Sequence, residues 1–190
     1  MKRVPLTDTA VALEWCTVME AYGYERRLLA GVRYARSFTG ERMDYGELRA
    51  IVEVARWAPS IGNIQPWEVI IVDDPIEIRK LAGLHPLGYA YARAGALFFI
   101  VTDPTQSLHH VIDGGSFTAY LAVSASMRGY SVMIIPLNDD PAFKSELEIP
   151  PQKYLLGLVA IGKEASSTVM PPARKPLEFI IHKNKYGLPG

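Results

Sequence analysis

Three features of the sequence predict an α+β domain of three layers, with helices on both sides of a mixed sheet. Helical and strand patterns alternate along the chain. Two segments, Ala96 to Thr102 and Tyr154 to Ile161, are almost wholly apolar. The stretch Gly115 to Met127 reaches helical length without one charged side chain. With 190 residues, 49% of them hydrophobic and 21% charged, one substantial core is possible, and the chain 1–190 reads as a single domain.

Residues from Asp8 to Arg36 read as helical, with Leu13, Val18, Met19, Leu28, Leu29 and Val32 as apolar positions and a break near Gly23. The helix Asp44 to Trp57 has a clearer start. Asp44 and Glu47 form a capping-box pattern, Met43 and Leu48 supply a hydrophobic staple, and Leu48, Ile51, Val52 and Ala55 line one face. Pro59 ends it. Strand Glu68 to Val72, a short helix Pro75 to Leu81 and strand Ala96 to Thr102 follow, both strands reading as buried on two faces. The uncharged helix Gly115 to Met127 must be covered all round, which a central position or a second subunit can do; a second subunit is the expectation. Ser131 to Ile135 is a third strand, Pro141 to Leu147 a short helix and Tyr154 to Ile161 a fourth strand. Val169 to Ala173 reads as a stiff, proline-rich connector. The final segment from Leu177 carries Phe179, Ile180 and Ile181, which need a partner strand and are expected to find it on another chain.

Twenty basic and twenty acidic side chains leave no net charge, which argues against nucleic acid or a membrane surface as partner. Cys16 is the single cysteine, so neither an intramolecular disulfide nor a multi-cysteine zinc site can form. The apolar stretch after Lys2 and Arg3 is broken by Asp8 and Glu14, and no run approaches the roughly 20 apolar residues a bilayer requires. A soluble, cytoplasmic protein is expected. His109, His110 and Asp113 make a poor metal site, because adjacent histidines diverge and a fourth ligand is missing; no metal is expected. His85 and His182 read as structural. Hydrolase elbows, phosphate-binding Gly-Lys-Ser/Thr loops and dinucleotide fingerprints are absent from the sequence.

The stretch from Ala55 to Trp67 carries the chemistry. Ser60, Asn63 and Gln65 bring hydroxyl and amide groups, Gly62 permits close backbone approach, and Pro66 stiffens the entry into the strand. Such a loop can hydrogen-bond a flat heterocycle, although an ordinary helix-to-strand connection uses the same residue types.

The run Pro59-Ser60-Ile61-Gly62-Asn63-Ile64-Gln65-Pro66-Trp67 resembles the signature of the FMN-dependent nitroreductase family, and the resemblance continues in register from Arg33 over about 155 residues. Val32-Arg33-Tyr34-Ala35-Arg36-Ser37-Phe38 is similar to the family block that holds the FMN phosphate and ribityl chain. Guanidinium groups suit that task through their planar donor fork. Val32 and Tyr34 depart from the family's arginine and small polar residue. Asp113-Gly114-Gly115 resembles the start of the family's long interface helix. Pro136 and Leu137 stand where the family often has a glycine-containing pair facing the flavin; proline has no amide to offer there, and Leu137 has one. Arg174, in Arg174-Lys175-Pro176-Leu177, matches a basic residue that returns to the phosphate.

The resemblance implies a nitroreductase-like α/β/α sandwich with a mainly antiparallel sheet, an intertwined homodimer, and a flavin site made from Arg33, Tyr34, Arg36, Pro59, Ser60, Asn63, Gln65, Pro136, Leu137 and Arg174. It further implies hydride transfer from NAD(P)H through FMN to a small electron-poor acceptor, a nitroaromatic or quinone, in a ping-pong cycle, with no side chain required as a catalytic acid or base. Residues 1–30 are expected to form an N-terminal helical extension and 177–190 a tail that docks on the partner. The span from Leu81 to Ala96, with His85, Pro86, Tyr89 and Tyr91, is the expected lid. A dimeric binding protein that keeps the fold and holds a flavin or phosphate ligand without turnover is the alternative. Trp67 is expected to pack in the core.

Overall fold

The computed structural model describes residues 29, 32–166 and 174–188. Most of the N-terminal helical extension, Cys16 and the connector Val169 to Ala173 lie outside these residues.

Four strands form one sheet: β1 (Trp67–Val72), β2 (Ala96–Thr102), β3 (Ser131–Pro136) and β4 (Tyr154–Gly162), in the order β1-β2-β4-β3. All three pairings are antiparallel, and a parallel element enters through a bridge between Tyr34 and Val132. The two nearly all-apolar segments are the inner strands, with neighbours on both edges and helices on both faces. Side chains alternate across β2: Leu97, Phe99 and Val101 point into one core, Ala96, Phe98 and Ile100 into the other.

The first core is roofed by α2 (Pro75–Ala82), α3 (Gly88–Tyr91) and α5 (Pro141–Glu146), through Ile78, Leu81, Tyr91 and Phe143. The second is roofed by α1 (Tyr45–Ala55) and α4 (His110–Met127), through Leu48, Ile51, Phe117 and Leu121. These are the three layers expected. Asp44 caps α1 by accepting from Gly46 N at 2.8 Å, and Met43 and Leu48 sit in the same core. Glu47 is not the second half of a capping box. Its carboxylate pairs with Arg128 at 3.1 Å and ties the start of α1 to the end of α4.

Three expectations are corrected. Residues 32–39 are extended instead of helical: Val132 N donates to Arg33 O and Ala35 N to Val132 O, both at 2.8 Å, while Thr39 N donates to Lys163 O at 3.0 Å. Sheet pairing overrides the apolar spacing there, placing Ala35 and Phe38 in the first core. β1 is only half-buried: Ile70 and Val72 pack against the first core and Trp67, Val69 and Ile71 against the second, but as an outer strand it has a neighbour on one edge alone. Much of the span from Leu81 to Ala96 is core and not lid, although Tyr89 stays exposed. Tyr91 is fully buried in the first core, and the His85 ring lies 6.5 Å from that of Phe143. Gly88 explains the tight fold-back, since a Cβ there would lie 1.7 Å from Ala82 O.

Among the described residues no helix is long and apolar enough to cross a membrane. Phe99, fully buried at the centre of β2 and 5.8 Å from the Phe143 ring, is the test of the first core. Phe99→Ala is expected to lower unfolding free energy by about 3–5 kcal/mol, measured by urea denaturation.

Candidate functional site

The loop between α1 and β1 is built to hold one shape. After Ala55 the chain leaves α1 and closes a 3-10 turn at Ile61–Asn63. Gly62, Asn63 and Gln65 all have positive φ, at 62°, 56° and 55°. Two non-glycine residues in that region persist only where the surroundings hold them. The holding contacts are visible. Ser60 Oγ accepts from Gln65 N at 3.0 Å, Gln65 Nε2 donates to Asn63 Oδ1 at 3.1 Å and to its carbonyl at 3.2 Å, and Ile61 N donates to Asp113 Oδ1 at 2.9 Å.

These bonds leave a defined set of open valences. Ser60 accepts, so its hydroxyl proton is still available. Asn63 uses its Oδ1 and keeps Nδ2; Gln65 uses Nε2 and keeps Oε1. Asn63 and Gln65 are exposed and Ser60 is half-buried, so the loop offers both donors and an acceptor to a ligand. A planar heterocycle with imide-like edges, carbonyl acceptors beside an N–H donor, is complementary to that set. Trp67 does not belong to it: its ring stacks on Phe117 at 5.3 Å, as expected of a packing residue.

Arg33, Tyr34 and Arg36 lie on the extended segment beside β3, all exposed. Among the described residues neither arginine side chain has an ion-pair partner. Arg33 N donates to Ser126 Oγ at 3.2 Å, near the C-terminal end of α4, whereas the Ser60–Gln65 loop is tied to Asp113 in its first turn. Thirteen helical steps separate these anchors, Asp113 and Ser126, about 20 Å at 1.5 Å per residue. One chain therefore does not bring the arginines to the loop. Arg174 is exposed ahead of the 3-10 turn Leu177–Phe179.

Pro136 ends β3 and is exposed; Leu137 is buried. The amide expected to be available at Leu137 is not, because Leu137 N donates to Leu156 O at 3.1 Å. The β3–β4 register, Ile135 with Leu158 and Pro136 with Gly157, carries on one step, so Leu137 N meets Leu156 O.

Sequence reasoning missed two groups that shape this region. Asp113 is one: weighed only as a metal ligand and as the start of the interface helix, it anchors the loop, and its signal was a lone carboxylate in a helix otherwise free of Asp, Glu, Lys and Arg. The other is Asp103, whose amide donates to Pro66 O at 2.9 Å just after the loop. Its carboxylate accepts from Thr105 Oγ1 at 2.6 Å, Thr105 N at 2.9 Å, Gln106 Nε2 at 2.9 Å and Lys153 Nζ at 2.9 Å. Lys153 also reaches Glu68 at 2.6 Å. The Thr105 hydroxyl first, and then Lys153, hold the Asp103 carboxyl well below the usual carboxylate range. His110, considered as a metal ligand, is spent on Thr102 Oγ1 at 2.8 Å and on the edge of the Tyr154 ring.

Comparison with known proteins bears out the resemblance read from the sequence. The model of the nitroreductase family matches residues 32–110. A protein of Archaeoglobus fulgidus, described as a candidate NADH dehydrogenase/NAD(P)H nitroreductase, is 25% identical over 138 residues, covering 68% of this chain and 79% of its own. In structure, a protein of Parabacteroides distasonis with the same description superposes with a TM-score of 0.76 at 18% identity, over 84% of this chain and 97% of its own. An FMN-dependent nitroreductase of Clostridium difficile gives 0.75 at 19% identity, over 84% and 98%. These structural likenesses establish a nitroreductase-like fold.

A depressed carboxyl pKa in the folded state means that Asp103 contributes stability above its ordinary value of 3.8 and loses that contribution as pH falls further. Unfolding midpoints followed from pH 6 to pH 3 are expected to drop, and Asp103→Asn is expected to flatten that dependence while lowering the midpoint at neutral pH.

Proposed function

We propose that this nitroreductase-like chain is an FMN-dependent oxidoreductase that acts as a homodimer, taking reducing equivalents from NAD(P)H and passing them to a small electron-poor acceptor such as a nitroaromatic or a quinone. The observation that carries the reading is the pinned Ser60–Gln65 loop, whose outward valences fit the edge of a flavin ring. Bound FMN supplies a ring that accepts hydride from a nicotinamide and returns electrons to an acceptor. The chain's own residues bind and orient it. Asn63 Nδ2 and the Ser60 hydroxyl would donate to ring carbonyls, Gln65 Oε1 would accept from the ring N–H, and Arg33, Arg36 and Arg174 would hold the phosphate. Tyr34 and Pro59 would border these groups.

The homodimer is supported by the geometry of α4. Its outer face is apolar, with Leu108 just before it 93% exposed, Ile112 66% and Met127 57%. Two such helices packed antiparallel about a two-fold axis would set the loop of one protomer beside the arginines of the other, which a single chain cannot do. The tail carries its own exposed apolar residues, Phe179 at 71% and Ile180 at 56%, consistent with docking on a partner.

A second reading, a dimeric binder that holds a flavin or phosphate ligand without turnover, is favoured by one feature: Pro136 has no amide, and that of Leu137 is already used. Stopped-flow mixing with NADH and NADPH separates the two. FMN added to the purified protein is expected to remain bound, colour it yellow and support NAD(P)H oxidation; a protein that stays colourless overturns both flavin readings, and bound FMN that neither nucleotide reduces favours the binder.

Arg36→Ala is expected to raise the FMN Kd about tenfold or more, as for loss of a charge-assisted hydrogen bond. Ile112→Glu is expected to convert the dimer to monomer in light scattering and to abolish FMN retention, because it places a charge in an apolar interface.

A further inference from the structure

We propose that Asp113 is a positioning residue of the flavin site: its buried carboxylate, seated in the first turn of α4, sets the backbone of the Ser60–Gln65 loop in the shape that turns Asn63 and Gln65 outward. The inference rests on the flavin reading given above and assigns a task within that site to a residue that does not itself touch the ligand.

Asp113 is 2% exposed and among the described residues it has no cationic partner. Its Oδ1 accepts from Ile61 N at 2.9 Å, and its Oδ2 accepts from Ser107 Oγ at 3.3 Å; Ser107 Oγ in turn accepts from His109 N at 3.1 Å. Asp113 stands in the first turn of α4. The carboxylate is nevertheless not a helix cap. It lies inside the helix, its own amide donates to His109 O at 3.1 Å, and its side chain reaches 52 residues back in sequence to another element. Burying a carboxylate is costly, and its hydrogen bonds to Ile61 N and Ser107 Oγ are what offset that cost here.

What it fixes is the strained end of the loop. Gln65 N and Ser60 Oγ close the loop on itself, but that bond does not orient it on the rest of the domain. Ile61, one residue before positive-φ Gly62, is held from outside by Asp113. The anchor is rigid at its other side as well. Gly114 lets α4 sit hard against the sheet, since a Cβ there would lie 2.7 Å from Thr102 Cγ2 and 2.8 Å from Leu156 Cδ2. A continuous path therefore runs from β2 and β4 through Gly114 and Asp113 to the ligand loop.

The test compares wild type, Asp113→Ala and Asp113→Asn by two measurements: hydrogen exchange of residues 59–66 in the FMN-free protein, and FMN Kd with the visible spectrum of the bound flavin. Asp113→Ala is expected to speed exchange in the loop, raise Kd about tenfold and shift the flavin bands. Asp113→Asn retains an oxygen for Ile61 N and is expected to stay within about threefold of wild type. Ser107→Ala, which leaves the carboxylate in place, provides a milder loosening of the same clamp if Asp113→Ala does not fold, with loop exchange again faster than wild type. A wild-type protein that takes up no FMN overturns the flavin reading and this role with it. Wild type that binds FMN, beside an Asp113→Ala variant with unchanged loop exchange or unchanged Kd (or, where that variant does not fold, a Ser107→Ala variant with unchanged loop exchange), overturns this role alone.

Discussion

The close seating of α4 on the sheet is the constraint on which the rest of the molecule depends. An 18-residue helix with a single carboxylate can lie this near two strands because Gly114 presents no side chain to Thr102 and Leu156, and because Phe117, Leu121 and Ala125 fill the space behind it. From that placement follow the stacking of Phe117 on Trp67, the pairing of Arg128 with Glu47 that aligns α1, and the reach of Asp113 to the loop. The same helix is bare on its other face. Its composition thus answers two demands at once: tight packing inward against the sheet, and an apolar surface outward that one chain leaves uncovered.

The elements that were legible in the sequence are those whose signal is local. Ala96 to Thr102 reads as a buried strand because every residue in it is apolar or β-branched, and Asp44 marks a helix start because an N-cap needs only the next few amides. Segments decided by distant partners were less so. Residues 32–36 have spacing that fits a helix, but their backbone groups find Val132 about a hundred positions away, and no local pattern announces that. Tyr91 and His85 read as a lid for a similar reason: aromatic and polar residues in a short connection do not disclose that Phe143 waits to pack against them.

The candidate site divides along the same line. Ser60, Asn63 and Gln65 are adjacent in sequence, so the loop they form could be recognised directly, and the structure adds how their mutual hydrogen bonds select which atoms face outward. The arginines suit a phosphate by their chemistry, yet their distance from the loop within one chain emerges only from the anchors at opposite ends of α4. A site split in this way links ligand binding to assembly. Each protomer would supply one half, and the interface helix would be the ruler that sets the spacing between halves.

The turn after β3 sharpens what the loop must do. Leu137 N and Asn138 N both point to Leu156 O, at 3.1 and 3.4 Å, and Asp139 N donates to Leu155 O at 2.8 Å, so three successive amides are committed and the preceding proline has none. Asn138 and Asp139 both hold positive φ, and the Asp139 carboxylate accepts from Leu155 N at 2.9 Å, which locks the turn in place. Released from the turn, a backbone donor would have to break a sheet-edge bond and leave a carbonyl of β4 without its partner. In the proposed site this side would contribute shape and apolar contact to a bound ring but no main-chain hydrogen bond. Polar recognition of a ring would then fall to the Ser60–Gln65 loop, and its fidelity to the buried contact that holds that loop on α4.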